Sequence, residues 1–266
     1  MFHPPPSPAP WPRHRLLNVW ADDPPPQELL SHLSTQGGLV FTVNPDHLYH
    51  LQRNPAFLAA YRQADLITVD SHYVQIALHR MGRPVQHRVT GSDLVPSLLT
   101  YASEQGTGLR VFLLGAKPGV AQRARERINA RYGQELVVGA HGPSMNFVND
   151  EAEITQVLAQ IRQSGANALM VGLGAPKQEI WLARWRHAMP QVRLLLGVGA
   201  TIDYEAGEVN RAPVWMRQAR LEWFYRVATE PRRYLMRYVR NTEFIWWMWQ
   251  DKRGHYHDPL FKQLPR

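Results

Sequence analysis

The chain has 266 residues, 44% of them hydrophobic, enough to fill the core of one large α/β domain with an appendage and too many for wholesale disorder. With no cysteine, a disulfide framework, a thiolate metal site, an iron–sulfur cluster and a cysteine nucleophile are excluded together. The formal net charge of +8 is unevenly placed: residues 211–240 carry eight arginines against Glu222 and Glu230, whereas residues 1–210 are close to neutral.

In chain order, residues 1–37 contain the runs Pro4-Pro5-Pro6 and Pro24-Pro25-Pro26. Proline lacks the N–H that continued helices and inner strands need, so this stretch is read as a proline-rich tail. Its start lacks the apolar stretch of a signal peptide, and no run approaches the roughly 20 apolar residues of a membrane span, so a cytoplasmic location is expected. From Gly38, short apolar runs alternate with longer helix-compatible stretches: Leu39 to Val43, Leu66 to Val69, Leu109 to Leu114, Leu136 to Val138, Ala168 to Val171 and Arg193 to Leu196. That alternation predicts a mostly parallel sheet with flanking crossover helices over residues 38–210. One such helix is expected from Pro118 through Tyr132, where Val120, Ala124 and Ile128 recur at helical spacing.

Ligands of an open parallel sheet bind beyond the carboxyl ends of its strands, so the residues after each run are the candidates. Asp70 follows the second run and suits a general base, although position alone also fits a helix N-cap near Ser71. Asp93 reads as a capping residue. The turn at Gly115 to Gly119 suits phosphate approach by backbone N–H groups, or simply a tight strand-to-helix turn. The segment Gly172 to Lys177 is not a Walker loop and lacks the third glycine of a dinucleotide fingerprint. The histidines, His141 and His187 among them, show no ligand spacing, and His255 with His257 reads as solvated, so no metal site is assigned. No Asp-x-Asp stands at a strand end to hold a magnesium–diphosphate, and Asp22-Asp23 falls in the proline-rich leader. Arginines would then have to stabilise a departing diphosphate.

Residues 211–266 form a basic, tryptophan-rich segment. Pro231 divides it into two helices with Thr229 as N-cap of the second, so that Arg233 and Arg237 lie one turn apart and Arg226 ends the first. Guanidinium groups match phosphate oxygens through paired hydrogen bonds. Interleaved aromatics such as Trp215, Trp223, Phe224 and Tyr234 make an interfacial helix on anionic lipid the favoured reading, with a solvated basic face or a single-stranded nucleic-acid surface as alternatives.

The assembled motifs resemble the WecG/TagA/CpsF glycosyltransferases, glycosyltransferase family 26, from about Val40 to Arg240. The matching blocks are Thr42-x-Asn44, Ala64-Asp65 to Asp70, Arg88 to Leu94, Gly174 to Glu179, Gly197-Val198-Gly199-Ala200-x-x-Asp203, Arg211-Ala212-Pro213, Leu221 to Arg226 and Glu230 to Arg233. Around Pro176 to Glu179 and Leu221 to Arg226 the chain is similar to members that transfer N-acetylmannosaminuronic acid. The resemblance implies a Rossmann-like catalytic domain with a C-terminal helical, membrane-associating appendage. It implies an inverting, metal-independent transfer, without cofactor, from a UDP-sugar to a saccharide on undecaprenyl diphosphate in bacterial surface polysaccharide synthesis.

Carried over residue by residue, Asp70 is the base, Thr42 and Asn44 the polar pair beside it, and Arg88, Gln178 and Asp203 substrate-binding. Arg226, Arg233 and Arg237 close over the diphosphate, and Gly115, Gly174 and Gly199 approach the nucleotide. The donor sugar is left among N-acetylmannosamine, its uronic acid and a hexose. A homo-oligomer and an anionic inner membrane surface are implied partners, and no nucleic acid is. Two departures stand out: Ser71-His72 replaces the glycine usual after the aspartate, and Gly142 to Met145 replaces a Gly-Tyr-Phe-like element. A non-catalytic nucleotide-sugar or nucleic-acid binding module on the same fold is the alternative.

Overall fold

A computed structural model describes residues 11–261, the side chain of Arg233 excepted. It has eight strands in one sheet: β1 (Arg13–Leu16), β2 (Val19–Asp22), β3 (Gly38–Val43), β4 (Leu66–Val69), β5 (Val111–Gly115), β6 (Val137–His141), β7 (Ala168–Gly172) and β8 (Leu194–Gly197). Their order is β1-β2-β4-β3-β8-β7-β5-β6, and only the β1–β2 pair is antiparallel. The six strands expected after Gly38 are all present. Their apolar runs are continuous because both faces are covered. In β3, Leu39, Phe41 and Val43 enter the core on one side, while Val40 enters the core on the other.

The crossover helices that matter below are α1 (Pro26–Thr35), α2 (Pro45–Leu51), α3 (Pro55–Arg62), α4 (His72–Arg80), α5 (Gly91–Gln105), α6 (Val120–Tyr132), α7 (Glu151–Gln163), α8 (Lys177–Trp185) and α9 (Thr201–Ala206). The expected helix ending at Tyr132 is α6, its buried face built from Val120, Ala124 and Ile128. Four helices follow: α10 (Val214–Gln218), α11 (Glu222–Thr229), α12 (Pro231–Asn241) and α13 (Glu243–Lys252).

The reading of residues 1–37 as a tail is corrected for its described part. Residues 13–22 form a hairpin that adds to β4, and residues 26–35 form a helix packed on α5. Pro26 cannot sit inside a helix, but it occupies the first turn of α1, where its missing N–H has no partner to lose. Leu29, Leu30 and Leu33 then bury one face. The Asp22-Asp23 pair is structural: Asp22 accepts from the Ile67 amide at 2.9 Å and pairs with Arg13 at 2.9 Å. Asp23 accepts from the amides of Gln86 and His87, both at 2.8 Å. Met1 to Pro10, including the run Pro4 to Pro6, lie outside the described residues.

Two capping expectations also shift. Thr90, not Asp93, caps α5, and Asp93 sits three residues in, receiving the Thr90 hydroxyl at 2.8 Å. Pro231 does separate α11 from α12, but Thr229 is not the cap of α12. Its hydroxyl is turned back onto the Tyr225 carbonyl at 2.9 Å. The segment after 211 is also less of a separate appendage than expected, because Phe244, Met248 and Leu260 enter the main core and buried Asp251 pairs with Arg15 and Arg83.

Candidate active site

Asp70 stands at the carboxyl end of β4, beside the end of β3. Asp70 directly follows β4, and its amide donates to the Val43 carbonyl of β3 at 3.0 Å. The capping reading falls away because Ser71 caps α4, accepting from the Tyr73 amide. Asp70 is left half-buried and oriented by its neighbours. Asn44 caps α2 through its Oδ1, which accepts from the Asp46 and His47 amides, and its Nδ2 donates to Asp70 Oδ2 at 3.3 Å. One side chain therefore starts a helix and aims the carboxylate. Arg88 donates to the Asp70 carbonyl at 3.0 Å, from a loop pinned one and two residues earlier by Asp23. Burial raises the Asp70 pKa above the usual carboxylate value, opposed by the Asn44 hydrogen bond and the charges of Arg88 and Arg226.

Arg226 comes from α11 and lines a cleft of about 140 Å3 with Lys117, Asp203, Tyr204, Glu222 and Tyr234. Its guanidinium pairs with Glu222 at 2.7 Å, one turn earlier, and lies 5.9 Å from the centre of the Tyr234 ring. Both Arg226 and Glu222 act electrostatically on Asp70. A guanidinium from the far end of the chain thus lines the cleft close enough for its charge to act on Asp70, which is not itself among the residues lining that cleft. Asp203 stands in the wall of the same cleft.

The other sequence-selected residues sit around this pair. Thr42 is buried at the end of β3, its carbonyl accepting from the Tyr61 hydroxyl at 2.6 Å and from His47 Nδ1 at 2.5 Å. Gln178 is buried beneath the loops: its Oε1 accepts from the Gly174 and Gly199 amides at 3.3 and 3.2 Å, and its Nε2 donates to Glu179 at 2.7 Å. It ties the β7 and β8 loops together, and the two glycine amides read as phosphate donors are engaged there. Gly115 is buried with φ +141°, and a Cβ would meet the Gly172 backbone at 2.6 Å, so packing demands its glycine and it is Lys117 that the turn delivers to the cleft. Arg237 is not open to the cleft, being paired with Asp46 at 2.8 Å. The side chain of Arg233 lies outside the described residues.

Sequence reasoning missed Lys117, Tyr204 and Glu222 as cleft residues, although Glu222 stood inside the quoted Leu221 to Arg226 block. It also missed a buried cluster behind Asp70. Glu179 is 1% exposed, and its Oε1 lies 3.9 Å from His47 Nε2. Burial pushes the Glu179 carboxyl up to about 7 and the His47 imidazole down to about 4. Folded Glu179 keeps its proton where the unfolded chain has lost it, so its contribution to stability is lost as pH rises from the ordinary carboxylate value through about 7. His47 acts in the opposite sense, costing stability as pH falls from 6.5 toward 4. Glu179→Gln keeps the acceptor for Gln178 without the titration. Its Tm relative to the parent is expected to be higher at pH 8 than at pH 5, by the equivalent of on the order of 3 kcal/mol. Thermal melts at the two pH values check this, and a pH-independent difference would contradict the buried titration.

The model of the glycosyl transferase WecG/TagA/CpsF family matches residues 14–258. The chain belongs to that family. A curated relative from Bacillus spizizenii, an N-acetylglucosaminyldiphosphoundecaprenol N-acetyl-beta-D-mannosaminyltransferase, is 33% identical over 212 residues, covering 77% of this chain and 79% of the relative. The WecG/TagA/CpsF match begins within β1, consistent with a hairpin that belongs to the folded domain. As a member the chain is a glycosyltransferase. Among the described residues no helix is long and apolar enough to cross a membrane.

Proposed function

We propose that the protein transfers N-acetylmannosamine from a UDP donor to a saccharide on an undecaprenyl-diphosphate carrier, by one inverting displacement. The observation that carries this is a carboxylate, Asp70, held at a strand end by Asn44, with a guanidinium, Arg226, brought by α11 near enough for its charge to act on it. Asp70 takes the proton of the acceptor hydroxyl as that oxygen bonds to the anomeric carbon. The bond from that carbon to the β-phosphate oxygen breaks, its electron pair stays on UDP, and Arg226 stabilises the charge that develops. The activity of the Bacillus spizizenii relative, an N-acetyl-beta-D-mannosaminyltransferase acting on N-acetylglucosaminyldiphosphoundecaprenol, supports the choice of sugar and carrier.

A carrier lipid puts the reaction at a membrane surface, and the late helices suit one. Trp215 is 63% exposed and Met236 71% exposed, with Phe224, Leu235 and Val239 also open, beside the exposed Arg220 and Arg232. Apolar and aromatic side chains at headgroup depth with arginines toward anionic lipid make a peripheral anchor. UDP release is the test, using purified full-length protein, UDP-N-acetylmannosamine and vesicles bearing N-acetylglucosaminyl-diphosphoundecaprenol. Release that needs the acceptor, continues in EDTA and is faster on anionic than on neutral vesicles is expected. Release from UDP-N-acetylmannosaminuronic acid or UDP-glucose instead would move the donor assignment, and no release from any of the three would overturn the reading.

A further inference from the structure

Asp46 stands two residues after Asn44, in the first turn of α2, and is 3% exposed. No part of the reaction proposed above uses it, yet its carboxylate receives two guanidinium groups from α12, Arg237 at 2.8 Å on one oxygen and Arg240 at 2.9 Å on the other. The same face continues the contact. Arg240 lies 4.8 Å from the centre of the Tyr49 ring, Arg53 lies 4.4 Å from its centre and 5.0 Å from that of Trp247, and Arg53 pairs with Glu243. So α2 is the platform on which α12 and α13 rest, and α12 in turn packs against α11, which carries Arg226.

We infer that Asp46 is a positioning residue that docks α12 on α2, and through it holds Arg226 where its charge acts on Asp70. The inference rests on the reading of Asp70 and Arg226 as the reacting pair. On one side the Asp46 amide donates to Asn44 Oδ1, and the Nδ2 of the same Asn44 side chain donates to Asp70. On the other, Arg237 and Arg240 lie in α12, after the Pro231 junction with α11. A buried carboxylate with two arginines is costly to leave half-paired, so removing its charge frees both guanidiniums and loosens the helix pair together. A displacement of about 1 Å in a charged group that stabilises a transition state is enough to cost roughly 10²-fold.

The experiment compares full-length parent, Asp46→Asn, the double variant Arg237→Gln/Arg240→Gln and the triple variant, measuring vesicle-supported UDP release together with amide hydrogen exchange. Asp46→Asn is expected to lower kcat about 10²-fold with a smaller change in the donor KM, and to speed exchange in residues 222–241 while β4 and β7 stay as protected as in the parent. The double variant should match it, and the triple variant should be no worse than either, because all three remove one shared interaction. Parent-like kcat in Asp46→Asn, or losses that simply add in the triple variant, would overturn the inference. If Asp46→Asn exchanges globally, the double variant, which leaves the α2 turn untouched, decides by the same two readouts. An inactive parent would instead strike at the proposed reaction, which separates the two failures.

Discussion

Asp70→Asn is expected to cut turnover by roughly 10²–10⁴-fold, the usual worth of a general base, with Tm and UDP affinity near the parent values. The substitution keeps the shape of the side chain, and an amide oxygen can still accept from Asn44 as Asp70 Oδ2 does at 3.3 Å. What it removes is the capacity to take a proton. Burial has already raised the affinity of Asp70 for one, while Asn44, Arg88 and Arg226 keep the rise in check. The group is active when unprotonated, so kcat/KM should fall as pH drops through the Asp70 pKa, which lies above the ordinary carboxylate value. The residual activity of Asp70→Asn should lack that acid limb. Near-normal turnover in this variant, or an unchanged acid limb, would remove Asp70 from the mechanism.

Arg226→Ala is expected to lower kcat by about 10²–10³-fold, comparable to losing one preorganised donor at a developing anion. Its guanidinium is held in place before substrate arrives, by Glu222 at 2.7 Å and by the Tyr234 ring. Preorganisation of this kind means that little rearrangement remains when charge appears on the β-phosphate. Arg226→Lys should recover only part of the loss, because an ammonium keeps the charge but not the planar fork. The Arg226–Glu222 pair is partly exposed, so its removal should barely move Tm, and the kinetic loss can be read without a folding correction. Steady-state UDP release with saturating acceptor makes the comparison. Turnover of Arg226→Ala within a few-fold of the parent would show that the leaving diphosphate is stabilised elsewhere.

The parts of the fold that were legible in the sequence are those whose physics is local. A strand buried on both faces must be apolar throughout, so Leu39 to Val43 or Ala168 to Val171 announce themselves. Asp70 and Asn44 stood out because chemistry gathers where strands end, Arg88 only through the family resemblance, and Arg226 because arginines interleaved with tryptophans are an unusual mixture. The hairpin of residues 13–22 and α1 were hidden by their flanking prolines. Pro26 at a helix start looks the same in one dimension as a proline that forbids a helix, and only the spacing of Leu29, Leu30 and Leu33 marked the difference.

The remaining misreadings concern groups whose partners lie far away in the chain. Arg237 has the spacing of a phosphate ligand, but its acceptor is Asp46 in α2, and the Arg240 partner of the same carboxylate is 194 residues from it. No periodicity records such a pairing. Gly174 and Gly199 look like phosphate-cradling glycines until Gln178 is seen to take both amides. Lys117 and Tyr204 had no motif of their own, since a turn and a short helix place them in the cleft only once β5 and β8 flank β7.

The anomeric configuration of the product is the most direct test of a single displacement assisted by Asp70. Proton NMR of the saccharide formed from an α-linked UDP-sugar should show a β linkage, since attack opposite the departing UDP inverts the centre once. An α linkage in the product would require two displacements or front-face attack, and would contradict the role given to Asp70.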